Sequence, residues 1–291
     1  AVCAGLVLLA MAFRPGSALL AIRHPARPWP EPPVARLLQW LVLALFSLFF
    51  VAPLAAIVIN GLAADFGPLF KSATFHKALL TSLTLATISA LIAVALALAL
   101  ARSQRHFSSR LRAGVRTSNK IWSALLAFSG TVYLAVPALV LGLGFFLLAR
   151  YINADPGTVA PVALVTANVM MALPFALVTL TPAMTRAADK YDRLAFSLDL
   201  RGRARWRLIE WPVLRRDLGY VLALAFCLSF GDLGVIALFG SQDFATLPWL
   251  LYQQMGSYRT TDAAGMALVL LVLCLTVFLV VPKLFEGRQN A

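Results

Sequence analysis

Six long windows of the chain are free of charged residues apart from one position: 37–64, 78–101, 121–149, 156–185, 218–240 and 263–282, the fifth interrupted only by Asp232. Each reaches the roughly 20 apolar residues that a helix needs to cross about 30 Å of hydrocarbon. The pattern predicts an all-α, polytopic transmembrane helical bundle with six complete spans. Residues 1–13 are apolar up to Arg14 but too short to cross, and read as the tail of a preceding transmembrane helix, a partial N-terminal helix. Residues 14–36, rich in proline and arginine, read as a semi-rigid linker, and 37–291 as the six-span domain.

Between the fourth and fifth windows, 185–217 has a different pattern. Ala187, Tyr191, Leu194, Ala195 and Leu198 recur at the spacing of one helical face, while Asp189, Lys190, Asp192 and Arg193 point elsewhere. Gly202 then interrupts, Trp206 and Ile209 supply a second apolar stripe, and Pro212 stands where a chain turns and starts the next helix. The pattern predicts two short helices and a turn, with a polar outer face.

Composition agrees with the membrane reading. Charged residues make up 13% and hydrophobic residues 61%, with mean hydropathy +0.84, whereas soluble domains carry about 25% charged residues. The net charge of +13 has a topological cause. If six spans alternate, 21 of the 25 basic residues fall on the side of the linker, the 185–217 loop and the C-terminus. Only Lys71, Lys77, Arg150 and Arg259 fall opposite, so the basic side is expected to be cytoplasmic. A nucleic-acid footprint at Arg201, Arg203, Arg205 and Arg207 is the weaker reading, because spans flank that loop.

Catalytic chemistry finds no support. No lysine follows a glycine, so no phosphate-binding loop is present. His24, His76 and His106 fall in three different loops, and Cys3, Cys227 and Cys274 have no metal or disulfide spacing. Asp232 is the one carboxylate within a window, flanked by Gly231 and Gly234. Structural pairing and a place along a solute path are both open to it. Pro137, Gly142, Gly144 and Pro174 either bend path-lining helices or serve tight packing. Phe244, Trp249, Tyr252 and Tyr258 form either an interfacial belt or a set of ring faces for a cationic solute.

The order Arg193-Leu194-Ala195, three residues, Asp199, nine residues, Ile209, one residue, Trp211-Pro212 resembles the EAA loop of ABC importer permeases. That loop reads Glu-Ala-Ala, three residues, Gly, nine residues, Ile, one residue, Leu-Pro. The spacing matches throughout, with Arg193, Leu194, Asp199 and Trp211 replacing the family's Glu, Ala, Gly and Leu. The run 226–264 is similar to the corresponding region of thiamine ABC transporter permeases, and the resemblance covers most of the chain from Leu37 onward.

What the resemblance implies is a bundle like the type I ABC importer permeases and a permease subunit without covalent chemistry. A cytoplasmic ATPase dimer would seat Tyr191, Arg193, Leu194, Ala195, Leu198, Asp199, Gly202, Ile209 and Pro212. ATP would be bound and hydrolysed on that partner, and this chain would carry no cofactor or metal. A periplasmic binding protein and a second permease half, fused upstream or separate, are the other partners implied, and a bacterial inner membrane the location. Asp232, Trp249 and Tyr252 are the candidates for contact with thiamine or its phosphates. Ferric iron, a polyamine or an oxyanion is the alternative solute. An ion-coupled transporter is the alternative class, disfavoured by the docking-like loop and the scarcity of intramembrane charge.

Overall fold

A computed structural model describes residues 33–112 and 136–286. The described residues are helical and contain no strand. In chain order the helices are α1 (Pro33–Leu62), α2 (Phe66–Lys71), α3 (Ala73–Arg112), α4 (Ala138–Tyr151) and α5 (Pro156–Ser197). There follow α6 (Gly202–Arg205), a π-helical turn (Trp206–Glu210), α7 (Trp211–Phe230), α8 (Ile236–Phe239), α9 (Leu247–Gly256) and α10 (Thr260–Phe285). The expected tail 1–13 and most of the linker lie outside the described residues, and 33–36 form the first turn of α1.

Four helices, not six, are long and apolar enough to cross a membrane among the described residues: α1, α3, α5 and α10. This corrects the six-span expectation at two places. Of the window 121–149, residues 121–135 lie outside the described residues, and the described remainder belongs to α4, only 14 residues long. The window 218–240 is not one helix. Its helix stops at Phe230, and the chain then runs through a non-helical 231–235 into the four-residue α8.

The break has a local cause. The Gly231 amide closes the last turn on the carbonyl of Cys227, at 3.1 Å, and the Asp232 carboxylate turns forward to accept from Gly234 N, at 3.0 Å. A Cβ on Gly234 would lie 2.9 Å from Ala138 Cβ, and one on Gly142 would lie 3.2 Å from Val235 Cα. α4 therefore packs directly on the broken backbone, an approach that glycine permits.

The centre of the bundle is α7, packed on α3, α5 and α10. A stripe of Ala78, Ser82, Ala86, Ser89, Ala90, Ala93, Ala97 and Ala101 on α3 is almost fully buried. Ala167, Ala172, Ala176 and Ala183 of α5 and Ala223 and Ala225 of α7 are buried with it. Lipid tails are as apolar as leucine, so helix association in a bilayer depends on close van der Waals contact, which small residues allow. Two buried hydrogen bonds add direction: Asn168 Nδ2 donates to Ser229 Oγ at 2.8 Å, and Leu247 N donates to Ser82 Oγ at 2.7 Å. The second supplies a cap from α3 to the first turn of α9. Thr246, at the N-cap position of α9, provides no side-chain bond there.

α1 is exposed along nearly its whole length and meets the bundle through α10. At that crossing a Cβ on Gly61 would lie 2.6 Å from Leu268 Cβ and 3.0 Å from the Ala264 carbonyl oxygen. Around Gly144 of α4 there is open space. Gly61→Ala is therefore expected to destabilise by roughly 1–3 kcal/mol through overpacking. Gly144→Ala should be neutral or stabilise by up to about 1 kcal/mol through helix propensity. Thermal unfolding midpoints in detergent check the pair, and equal midpoints would contradict the close crossing.

Candidate functional site

The 185–217 segment does not begin with a separate short helix. α5 continues through it to Ser197, and the turn falls at 198–201. Leu200 N donates to Ala195 O at 2.9 Å and Asp199 N donates to Phe196 O at 3.2 Å, the paired bonds of a Schellman motif. This motif needs a left-handed residue, and Asp199 takes it with φ 46°. The position is the one at which the family pattern has glycine, which gives the motif's glycine a conformational reason. Gly202, φ 53°, then opens α6.

Pro212 does not mark a turn either. The chain stays helical from 202 to 230 by passing through the π turn, in which Trp211 N bonds Trp206 O. Proline cannot donate to the carbonyl four residues back, and its ring presses on it. The wider turn just before Pro212 accommodates both effects.

The expected docking residues divide by exposure. Ala195 and Ile209 are buried against the bundle. Leu194, 51% exposed, and Leu198, 60% exposed, face outward with Phe196 and Leu208. Tyr191 is half-buried beneath Lys190, whose Nζ lies 5.2 Å from the ring centroid, while Arg193, Asp199, Gly202 and Pro212 are exposed. The segment thus has an anchored inner side and an apolar outer side.

A group of ion pairs beside it is invisible in the sequence pattern. Arg102 Nη2, in the C-terminal third of α3, donates to Glu210 Oε2 at 3.2 Å. Arg205 Nε donates to Glu210 Oε1 at 3.2 Å, and Arg205 Nη2 pairs with Asp192 of α5. The Arg102 guanidinium lies 4.1 Å over the Trp206 ring. Arg216 Nε pairs with Glu286 at 3.0 Å, which brings the end of α10 to the same end of the bundle. Arg102 and Glu210 are 108 positions apart, so no local spacing could have signalled them.

The solute-path candidates lie elsewhere. Asp232 Oδ1 is engaged with Gly234, while its Oδ2 is buried without a hydrogen-bond partner among the described residues. Trp249 packs in the apolar cluster with Leu85, Leu164, Val235 and Ile236. It lies so close to Gly240 that a Cβ there would be 2.1 Å from Trp249 Nε1. Tyr252 is 59% exposed. Sequence spacing also missed the meeting of Cys227 and Cys274 across α7 and α10, where the Cys227 thiol points to the Cys274 carbonyl oxygen at 3.5 Å. Among the described residues no group of three metal-ligating side chains is found.

The chain is 41% identical over 256 residues to the thiamine transport system permease protein ThiP of Brucella abortus (strain 2308), covering 88% of this chain and 45% of that protein. With the protein of the same name from Escherichia coli (strain K12) it shares 36% over 294 residues, 99% of this chain and 52% of that protein. It thus spans about half the length of these curated relatives. The molybdenum transport system permease protein ModB of Mycobacterium bovis is 31% identical over 261 residues, 85% of this chain and 94% of that protein. No family model matches the chain. The chain belongs to the ABC importer permease family, as a multi-pass inner-membrane protein and a non-catalytic subunit.

The left-handed Asp199 generates a prediction. Asp199→Gly should raise stability by about 1 kcal/mol by removing the cost of a side chain at positive φ. The exposed Asp199–Arg201 ion pair, 2.7 Å, offsets little of that gain. A thermal midpoint that falls in Asp199→Gly would show that the ion pair, not the backbone, governs the turn.

Proposed function

We propose that this chain forms the translocation path of an importer for thiamine or its phosphates. Solute would arrive from a periplasmic binding protein, and a separate ATPase would drive alternating access. The observation that carries this reading is the 36–41% identity, over most of the chain, to thiamine transport permeases. The molybdenum permease relative favours a second reading, an oxyanion importer. Asp232 supports the first. A carboxylate oxygen with no partner among the described residues suits a thiazolium and repels an oxyanion. Tyr252 and Trp249 are two of the four aromatic side chains of the same outer region, the exposed ring of Tyr252 being available for cation–π contact.

Uptake by vesicles holding the full-length permease, its ATPase and its binding protein, offered thiamine, thiamine phosphates, molybdate, ferric iron and a polyamine, tests the assignment. Thiamine uptake should dominate, and Asp232→Asn should lower it about tenfold, the effect of roughly 1.4 kcal/mol, with expression unchanged. Preferential molybdate uptake would sink the thiamine reading, and full thiamine uptake in Asp232→Asn would remove that residue from the path.

The docking reading places the ATPase on the outward apolar side of 191–212, with Leu194 and Leu198 inserted into the partner and this end of the bundle in the cytoplasm. The anchors Ala195 and Ile209 hold the segment to the bundle while those side chains remain free. Leu198→Asp would bury a charge in that contact, typically costing several kcal/mol. ATPase co-purification should be lost while membrane insertion is retained. Normal co-purification would move the docking surface elsewhere.

A further inference from the structure

Glu210 is the last residue of the π turn, with its side chain only 12% exposed. Each of its carboxylate oxygens is taken by a different element: Oε2 by Arg102 of α3, Oε1 by Arg205 of α6. Arg205 passes the connection to Asp192 of α5, and Arg102 lies on the Trp206 ring of the same π turn. Glu210 therefore joins the segment to α3, while Arg205 joins it to α5 through a second carboxylate, Asp192. A cleft of about 500 Å³ beside it is lined by Arg102, Arg203, Arg205 and Glu210 with Gly202 and Trp206. Arg102 and Arg205 share the Glu210 carboxylate there, and without its charge the segment loses this ionic connection to α3.

Exposed ion pairs contribute little, but this one is set apart by the low exposure of Glu210 and by its two guanidinium partners among the described residues. Arg102 is 45% exposed and Arg205 27%, so the network lies at the edge of the bundle, where solvent still reaches its outer members. Leu214 and Leu218, on the helical run just beyond Glu210, pack in one apolar cluster with Ala97 and Ala101 of α3 and Leu180 and Met184 of α5. Ionic and apolar contacts thus join the same three elements at the same end.

We propose that Glu210 is the positioning residue that locks 202–210 to α3 and holds Arg205 toward its Asp192 partner on α5. A displacement imposed on the docking segment then moves both helices as one body. The proposal rests on the docking reading for its consequence, while the lock itself is a property of the permease alone. Contiguity by itself does not prove coupling, so the test measures both.

The lock is read in the purified full-length permease, native cysteines replaced, with spin labels at Ser103 and Ala204. The wild-type distance distribution should be narrow. Glu210→Gln, which keeps shape and removes charge, should broaden it, as should Arg102→Gln, which breaks the same pair from the other side and serves if Glu210→Gln fails to accumulate. An unchanged distribution in the variants overturns the lock. The consequence is read in the assembled importer: Glu210→Gln should keep ATPase co-purification, unlike Leu198→Asp, yet transport about tenfold less solute per ATP hydrolysed. The Arg102→Gln/Glu210→Gln double variant should lose less than the sum of the two single losses, because the Arg102–Glu210 pair is common to both. Additive losses, or wild-type coupling in Glu210→Gln, overturn the proposed role. Lost co-purification in Glu210→Gln overturns it as well, since Glu210 would then be holding the docking surface in shape instead of transmitting its motion.

Discussion

The close approach of α3 to α5 and α7, made along a stripe of alanine and serine, is the contact on which the rest of the bundle depends. In a bilayer no solvent drives apolar helices together, so the gain must come from atoms that touch. Side chains as small as those at Ala86, Ala90, Ala93 and Ala97 leave the backbones near one another, and every one of them is buried. The same closeness allows short polar side chains to reach across, as Asn168 does to Ser229. Larger residues on that stripe would separate the helices and carry those partners out of range. The ionic group around Glu210 closes the same three elements at one end, where solvent replaces lipid and charge is tolerated.

At the other end the fold gives up helical regularity. Gly231 and Gly234 allow α7 to stop inside an apolar run, and α4 covers the exposed backbone. The Asp232 oxygen that has no partner among the described residues sits in that break. Irregular backbone at membrane depth is tolerated where protein or a cavity satisfies it. A broken helix holding a buried carboxylate is thus the most chemically distinctive feature of that half, and the ion-pair group around Glu210 its counterpart at the opposite end.

Much of this was legible in the chain because the bilayer imposes a length that composition reveals. The windows beginning at 37, 78, 156 and 263 became helices of spanning length, and the spacing of Arg193 to Pro212 was enough to identify the family. Averaged hydropathy failed at 218–240, because it registers Gly231, Asp232 and Gly234 as a small interruption while the backbone registers them as a stop. It failed again at 185–197, where amphipathic periodicity is the same for a separate helix and for the continuation of α5. Pro212 was read as a point of turning since its cost is usually met by ending a helix, whereas here one π turn meets it. The partnership of Arg102 with Glu210 and of Cys227 with Cys274 could not be read at all, being products of packing between distant segments.

The cap that Ser82 gives to α9 also carries a temporal meaning. Leu247 lies 165 positions downstream of the hydroxyl that receives its amide proton, and by the time a ribosome has made it, α3 has long since left the exit tunnel. The first turn of α9 is thus completed by a residue synthesised long before it. Its start is encoded twice, once at Thr246-Leu247-Pro248 and once at Ser82. The start of a late helix thus depends on a side chain laid down early, so one hydrogen bond ties together two distant stages of synthesis.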